Sequence, residues 1–400
     1  MAHFLFANIP EKNHLYPMVP VMLQLSKDGH NVSCACHSLM LEKLPAGLQK
    51  ISVDDYQPQQ IDPHQEEFED LYDHLVETAP SIAERYLEIF RKQQPDNILV
   101  GSLDFGAAIA AEASGIPWSV IGTNPGMLEP EGGLPCTGRG LDSKSLKSKV
   151  AGYFHHRMLG SFAKPLNELR ESYGLSALEN PLSQQMLQAS NYFALTLKSL
   201  EPGNPGFDAK VEFVGPIIWQ PAEPEEERLP KKDFTPPVIA VRVSQIEAPD
   251  NHVVISRLIE GLSEKNCTVL LETRGEDYEI SDFPENFYTR ETIDLSRLVP
   301  RVHVFIHRGN YLGYAAGIKY GIPSIAIETG AEGREIAIRA KLAGIAENMD
   351  VDGFRAKHLN ELITKLISEP LYRMMAERLK EELRNQNPAR MVAEMLMSGI

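Results

Sequence analysis

The sequence predicts an α/β protein of two Rossmann-like, doubly wound parallel-sheet domains facing a cleft, and three stretches carry that prediction. Near the N-terminus an apolar strand (2–8), a helix opening at Pro17 and closing at Gly29, and the strand NVSCACH follow one another, which is the βαβ unit of a parallel sheet. Residues 216–237 carry proline and charge without periodicity, as a linker does, and the alternation then restarts at PVIAVRV. The stretch 302–336 reads as a buried strand (VHVFIH), a turn at Arg308-Gly309-Asn310, a helix to Tyr320, a Gly-Ile-Pro break and the strand SIAI. A strand feeding a helix through such a turn points backbone N–H groups at an anion above the strand end.

Length agrees with two domains, because 400 residues at 43% hydrophobic content exceed one ordinary core. A formal charge of −16 argues against nucleic acid, because binding its phosphates needs a basic face. Cys34, Cys36, Cys136 and Cys267 are too few and scattered for a disulfide framework. Cys34 and Cys36 share one face of a strand while His37 points away, so they read as core residues and no metal site is expected. The N-terminus lacks the basic region of a signal peptide. No segment approaches the roughly 20 apolar residues of a membrane span, so a soluble, cytoplasmic protein is expected.

The organisation follows in order. Residues 1–215 form the first, substrate-side domain. LQKISVDDY is its third strand, an acidic helical segment runs over about 64–92, and NILVGSLD and IPWSVIGT are strands around the helix FGAAIAAEASG. A Gly- and Pro-rich loop, TNPGMLEPEGGLPCTGRG, belongs at the mouth of a site, helices cover about 145–173, and NYFALTL returns as a strand. The linker is 216–237. A second domain, 238–385, carries strands at PVIAVRV, CTVLLET and NFYTRE before the 302–336 stretch, and helices at 355–368 and 369–385 after it. A terminal helix occupies 386–400 and could pack back on the first domain.

The chemistry begins at Asn13-His14-Leu15-Tyr16-Pro17, between the first strand and its helix. There His14 sits in a loop above the strand and can take a hydroxyl proton near neutral pH. It needs a partner to fix its tautomer, and Asp104, at the tip of LVGSLD with Ser102 behind it, is the candidate. Asn13, Tyr16, Ser102, Asn124, Glu129 and Glu131 are placed to shape substrate binding.

NHLYPMVPVMLQLSKDGHNV resembles the opening of the family-one nucleotide-sugar-dependent glycosyltransferases of GT-B fold, whose first loop reads Gly-His-x-x-Pro before a helix ending Gly-His-x-Val. The resemblance covers almost the whole chain and implies that His14 is the general base. The family's orienting aspartate falls, counting back from Gly115, on Gly101, which makes Asp104 an offset substitute. The donor side departs further. The small residues ending the first C-domain strand are replaced by Arg242-Val243-Ser244-Gln245, and the family's base-stacking Trp-x-Pro-Gln falls on Thr292-Ile293-Asp294-Leu295. The phosphate-binding His-Gly-Gly-x-x-Ser falls on Arg308-Gly309-Asn310-Tyr311-Leu312-Gly313, its ribose-binding Glu on Ala316, and the sugar-holding Asp/Glu-Gln on Glu332-Gly333. Arg308 can replace imidazole at a phosphate, with Arg242 and Arg334 nearby.

This asymmetry leads to the expectation of a glycosyltransferase-like enzyme repurposed for His14-dependent cyclisation, isomerisation or elimination on a small, hydrophobic natural-product-type substrate. It would use no sugar donor and no cofactor, with Arg242, Ser244, Arg308, Gly309, Asn310, Tyr311 and Glu332 lining an inherited donor side. The alternative is a glycosyltransferase acting on a hydroxylated acceptor with a UDP- or dTDP-sugar as co-substrate. A third reading is a non-catalytic binder or partner. The sequence assigns no oligomeric state.

Overall fold

The computed structural model describes residues 1–54, 68–133, 136, 146–203, 205–221, 234–243, 251–273, 283–290, 293, 295–298, 301–328, 330–351 and 353–399. Two compact units emerge. The first comprises Met1–Pro221, Gly330–Glu332 and Gln386–Ile400, and the second Ala222–Thr329 and Gly333–Asn385.

The first unit is built on strands β1 (His3–Ala7), β2 (Asn31–Cys36), β3 (Gln49–Ser52), β4 (Asn97–Gly101), β5 (Trp118–Gly122), β6 (Tyr192–Ala194) and β7 (Val211–Phe213). All pair in parallel, in the order β3-β2-β1-β4-β5-β6-β7. β4 and β5 are buried at every residue, as continuous apolar strands are when helices cover both faces of a parallel sheet. Its helices are α1 (Val19–Lys27), α2 (Phe68–Gln93), α3 (Phe105–Ser114) and α4 (Leu146–Ser172). The order reverses direction between β1 and β4, and the chain segments leaving these two strands open the crevice in which such sheets bind ligands.

The second unit repeats the principle with β8 (Val238–Arg242), β9 (Thr268–Glu272), β10 (Phe287–Arg290), β11 (Val302–His307), β12 (Ser324–Glu328) and β13 (Ala346–Asp350), ordered β10-β9-β8-β11-β12-β13 and all parallel. Here the reversal falls between β8 and β11, which places Arg242 directly opposite His307. The helices are α5 (Asn251–Leu262), α6 (Tyr311–Tyr320), α7 (Ala331–Leu342, whose first two residues belong to the first unit), α8 (Ala356–Ser368) and α9 (Pro370–Leu383). A terminal helix, α10 (Pro388–Ser398), belongs to the first unit. It buries Val392, Ala393 and Leu396, and Asn97 Nδ2 at the start of β4 donates to its Leu396 carbonyl at 3.4 Å.

Two strands escape the sequence reading. β7 has three residues and β13 (AENMD) is largely polar. Both gain their hydrogen bonds from a neighbouring strand rather than from their own apolar pattern. Among the described residues no helix is long and apolar enough to cross a membrane. The four cysteines are buried and none forms a disulfide; burial pushes the Cys34 thiol up to about 12. His37, beside them in sequence, caps the next short turn by accepting from Leu39 N–H.

Candidate active site

His14 does not sit in a loop. β1 ends at Ala7, and after Pro10 the chain forms a short helical turn, Lys12–Leu15, with His14 inside it and only 5% exposed. The turn is fixed by Glu11 at its N-cap. Glu11 Oε2 accepts the His14 backbone N–H at 3.1 Å, and Oε1 accepts Asn13 Nδ2 at 2.8 Å. One oxygen thus satisfies a backbone amide that the helix start leaves open, and the other holds the Asn13 side chain.

The imidazole meets a carboxylate from far along the chain. His14 Nε2 lies 3.2 Å from Glu332 Oε2, and the other oxygen of Glu332 accepts the Thr123 hydroxyl at 2.7 Å. An ionised carboxylate can only accept, so Nε2 carries the proton. Glu332 belongs to the 330–332 segment of the first unit, whose Ala331 is buried in that unit's core. Thr123 is buried immediately after β5.

Opposing effects set the charge of this group. Burial, the largest influence on His14, disfavours the imidazolium, but the charge and hydrogen bond of Glu332, with the charge of Glu11, outweigh it and raise its pKa. Burial likewise opposes ionisation of Glu332, and His14 and Thr123 outweigh it, holding that carboxyl below its ordinary range. Glu11 is raised, chiefly by burial. The arrangement therefore favours an imidazolium–carboxylate pair with a second, less acidic carboxyl alongside.

The other substrate-side residues separate into distinct tasks. Asp104 lies beyond the end of β4 and caps α3, its Oδ1 accepting Ala107 N–H at 2.9 Å; the carboxylate on His14 is that of Glu332. A short polar side chain at a helix start satisfies an amide there before it can serve as a strand-tip acid. Ser102 hydrogen-bonds Tyr192. Tyr16 packs its ring edge-on against Trp219 at 5.1 Å. Asn124 is buried and caps the turn Pro125–Leu128, accepting Gly126 N–H at 3.1 Å. Glu129 is exposed and accepts from Asn180 Nδ2 at 2.5 Å, and Glu131, also exposed, forms an isolated antiparallel bridge with Gly206.

In the second unit the residues assigned to a donor side are largely engaged with their own unit. Arg242 Nε lies 2.9 Å from Oε1 of the fully buried Glu272, and its Nη2 donates to the Ile293 carbonyl at 3.1 Å. Glu272 Oε2 accepts the Ile293 N–H at 2.9 Å. The pair thus clamps both backbone groups of residue 293, and the charge of Arg242 is balanced within its own unit by Glu272. Arg334 acts on Glu328, whose carboxyl burial raises to about 7 despite the hydrogen bond from Asn348 and the charge of Arg334. Ser244 lies outside the described residues.

The turn after β11 is equally filled. Asn310 caps α6, accepting Gly313 N–H at 2.9 Å, Tyr311 is buried at the helix start, and Arg308 is buried with 1% exposure. Gly309 N–H donates to His307 Nδ1 at 3.1 Å, which leaves the ring proton on Nε2. Burial, with the charge of Arg242, lowers His307 to about 3, so the ring is neutral. A Cβ on Gly313 would lie 2.4 Å from that ring, and one on Gly333 would lie 3.2 Å from the Gly309 carbonyl. A side chain at Gly313 would therefore meet this chain's own imidazole, and one at Gly333 would crowd its own backbone carbonyl.

Glu11, Thr123, Glu272 and His307 escape the sequence reading. Glu11 precedes His14 by three residues, a capping spacing visible in principle. Glu272 and His307 end apolar strands, where a charged or polar residue is a usable signal. Thr123 carries none.

The comparisons agree with this architecture. Residues 256–398 match the family model "Erythromycin biosynthesis protein CIII-like, C-terminal domain". The chain is similar to "4'-demethylrebeccamycin synthase" of Lentzea aerocolonigenes, 23% identical over 412 residues that cover 95% of each chain. It is 17% identical to "Uncharacterized UDP-glucosyltransferase YojK" of Bacillus subtilis (strain 168), over 100% of this chain and 98% of that one. Among solved structures, the glycotransferase of kitacinnamycin superposes with a TM-score of 0.75 at 17% identity, covering 100% and 99% of the two chains. The fold is GT-B.

Proposed function

We propose that this chain, which belongs to the family-one glycosyltransferase superfamily, is a nucleotide-sugar-dependent glycosyltransferase acting on a hydroxylated small molecule. The observation that carries the reading is a buried histidine held on a carboxylate after the first strand, in a chain whose likeness to its relatives runs end to end. His14 takes the acceptor's hydroxyl proton as the acceptor oxygen bonds to the anomeric carbon. The bond from that carbon to the diphosphate oxygen breaks, and the nucleoside diphosphate leaves with the electron pair. A UDP- or dTDP-sugar is the co-substrate. Arg308 and the first turn of α6 supply positive potential suited to a diphosphate.

The relatives favour this reading over the donor-free one. The departures at Arg242, Gly313 and Gly333 are accounted for by close packing and an internal ion pair, and they describe a donor floor built differently. The test is nucleoside diphosphate release and acceptor mass gain when the purified protein meets UDP- and dTDP-sugars with a panel of hydroxylated small molecules. Absence of both turnover and calorimetric binding for every donor in that panel would overturn the reading.

A further inference from the structure

We propose that Glu332, braced by Thr123, is the residue that orients and charges His14, so that the acid–base unit is a Glu–His pair drawn from the 330–332 segment rather than from the end of β4. The role given to His14 rests on the function proposed above, but the pairing itself does not. Both carboxylate oxygens of Glu332 are engaged inside the first unit, one by His14 Nε2 at 3.2 Å and one by Thr123 Oγ1 at 2.7 Å. The supports are rigid: Thr123 follows a fully buried strand, Ala331 lies in the core, and Glu11 pins the His14 backbone. A ring held at its backbone and at one nitrogen has a single orientation.

The geometry decides which nitrogen works. With the proton of the neutral ring on Nε2 and directed at Glu332, the lone pair resides on Nδ1. The acceptor's proton then moves to Nδ1, breaking the O–H bond and forming an N–H bond. The resulting imidazolium is stabilised by Glu332, which stays ionised. The charged groups acting on His14 are Glu11 on its own turn and Glu332 on α7; Lys12 acts on Glu11. A Glu332 carboxylate turned away from the ring in solution would leave the titration of His14 in the ligand-free protein untouched.

That distinction sets the experiment: an NMR titration of the histidine-labelled, ligand-free full chain, with the His14 resonance assigned by its loss in His14→Gln. Glu332→Gln is expected to lower the His14 midpoint by about one pH unit or more, and Thr123→Val by a smaller step. Thr123→Ser, which keeps the hydroxyl, is expected to restore the wild-type midpoint. A midpoint in Glu332→Gln within about 0.3 units of wild type overturns the pairing. Should that variant fold poorly, an unmoved midpoint in Thr123→Val has the same force. The titration uses no substrate. A moved midpoint without turnover of any nucleotide sugar would sink the proposed function and leave the pair standing, and turnover with an unmoved midpoint would do the reverse.

Discussion

The turn that carries His14 and the turn that follows β11 each lie beyond the C-terminal end of a parallel strand at a reversal of strand order, and they use their polar residues in opposite ways. Around His14, two carboxylates and a hydroxyl surround an imidazole whose protonated form they favour. After β11, His307 is buried neutral against Gly313, and the nearby Arg242 is balanced by Glu272. The same residue type thus favours its protonated form in one place and is a neutral packing and hydrogen-bonding element in the other. Neighbouring charge decides between them: a carboxylate raises an imidazole, whereas burial beside a guanidinium lowers it.

Substitutions can break this contrast. The largest effect is expected from His14→Ala, which should lower transfer by about 100- to 10,000-fold with an unchanged circular dichroism spectrum. Equal loss in His307→Ala without loss of fold would erase the distinction. Next comes Glu272→Ala, which leaves Arg242 uncompensated and frees the Ile293 N–H. A cost of about 3–5 kcal/mol in denaturant unfolding is expected, and a double-mutant cycle with Arg242→Met should recover part of it.

Smaller effects sharpen the comparison. Gly313→Ala forces a methyl group against the His307 ring and should destabilise by roughly 1–3 kcal/mol, read as a lowered melting temperature. The smallest is the pH dependence of the Glu332–His14 pair. His14 is raised, so its contribution is full below about 6.5 and fades as pH rises through its folded value; Glu332 is lowered, so its contribution is present above about 4.5 and fades as pH falls through its folded value. The stability gap between wild type and Glu332→Gln should therefore peak between those values, at on the order of 1 kcal/mol, and shrink at pH 9 and pH 3. A gap that is flat across this range would separate the pair from the protein's stability.

Much of the fold and part of the site can be read from the amino-acid order. Apolar strands, proline at helix starts and glycine at helix ends are local signals, and they locate eleven of the strands without reference to anything distant in the chain. They also single out His14, because a histidine just after the first strand needs only local context. Two strands, β7 and β13, depend on the partner that supplies their hydrogen bonds and carry no strong signal of their own. Only the tertiary structure chose the partners of the functional groups. Asp104 and Glu332 are both acids near strand ends in the sequence, yet the helix that begins after Asp104 takes up its carboxylate. Glu332, 318 residues from His14, reaches the imidazole. Hydrophobic periodicity repeats over a few residues and fixes which elements form, whereas a contact across 318 residues exists only once those elements have packed.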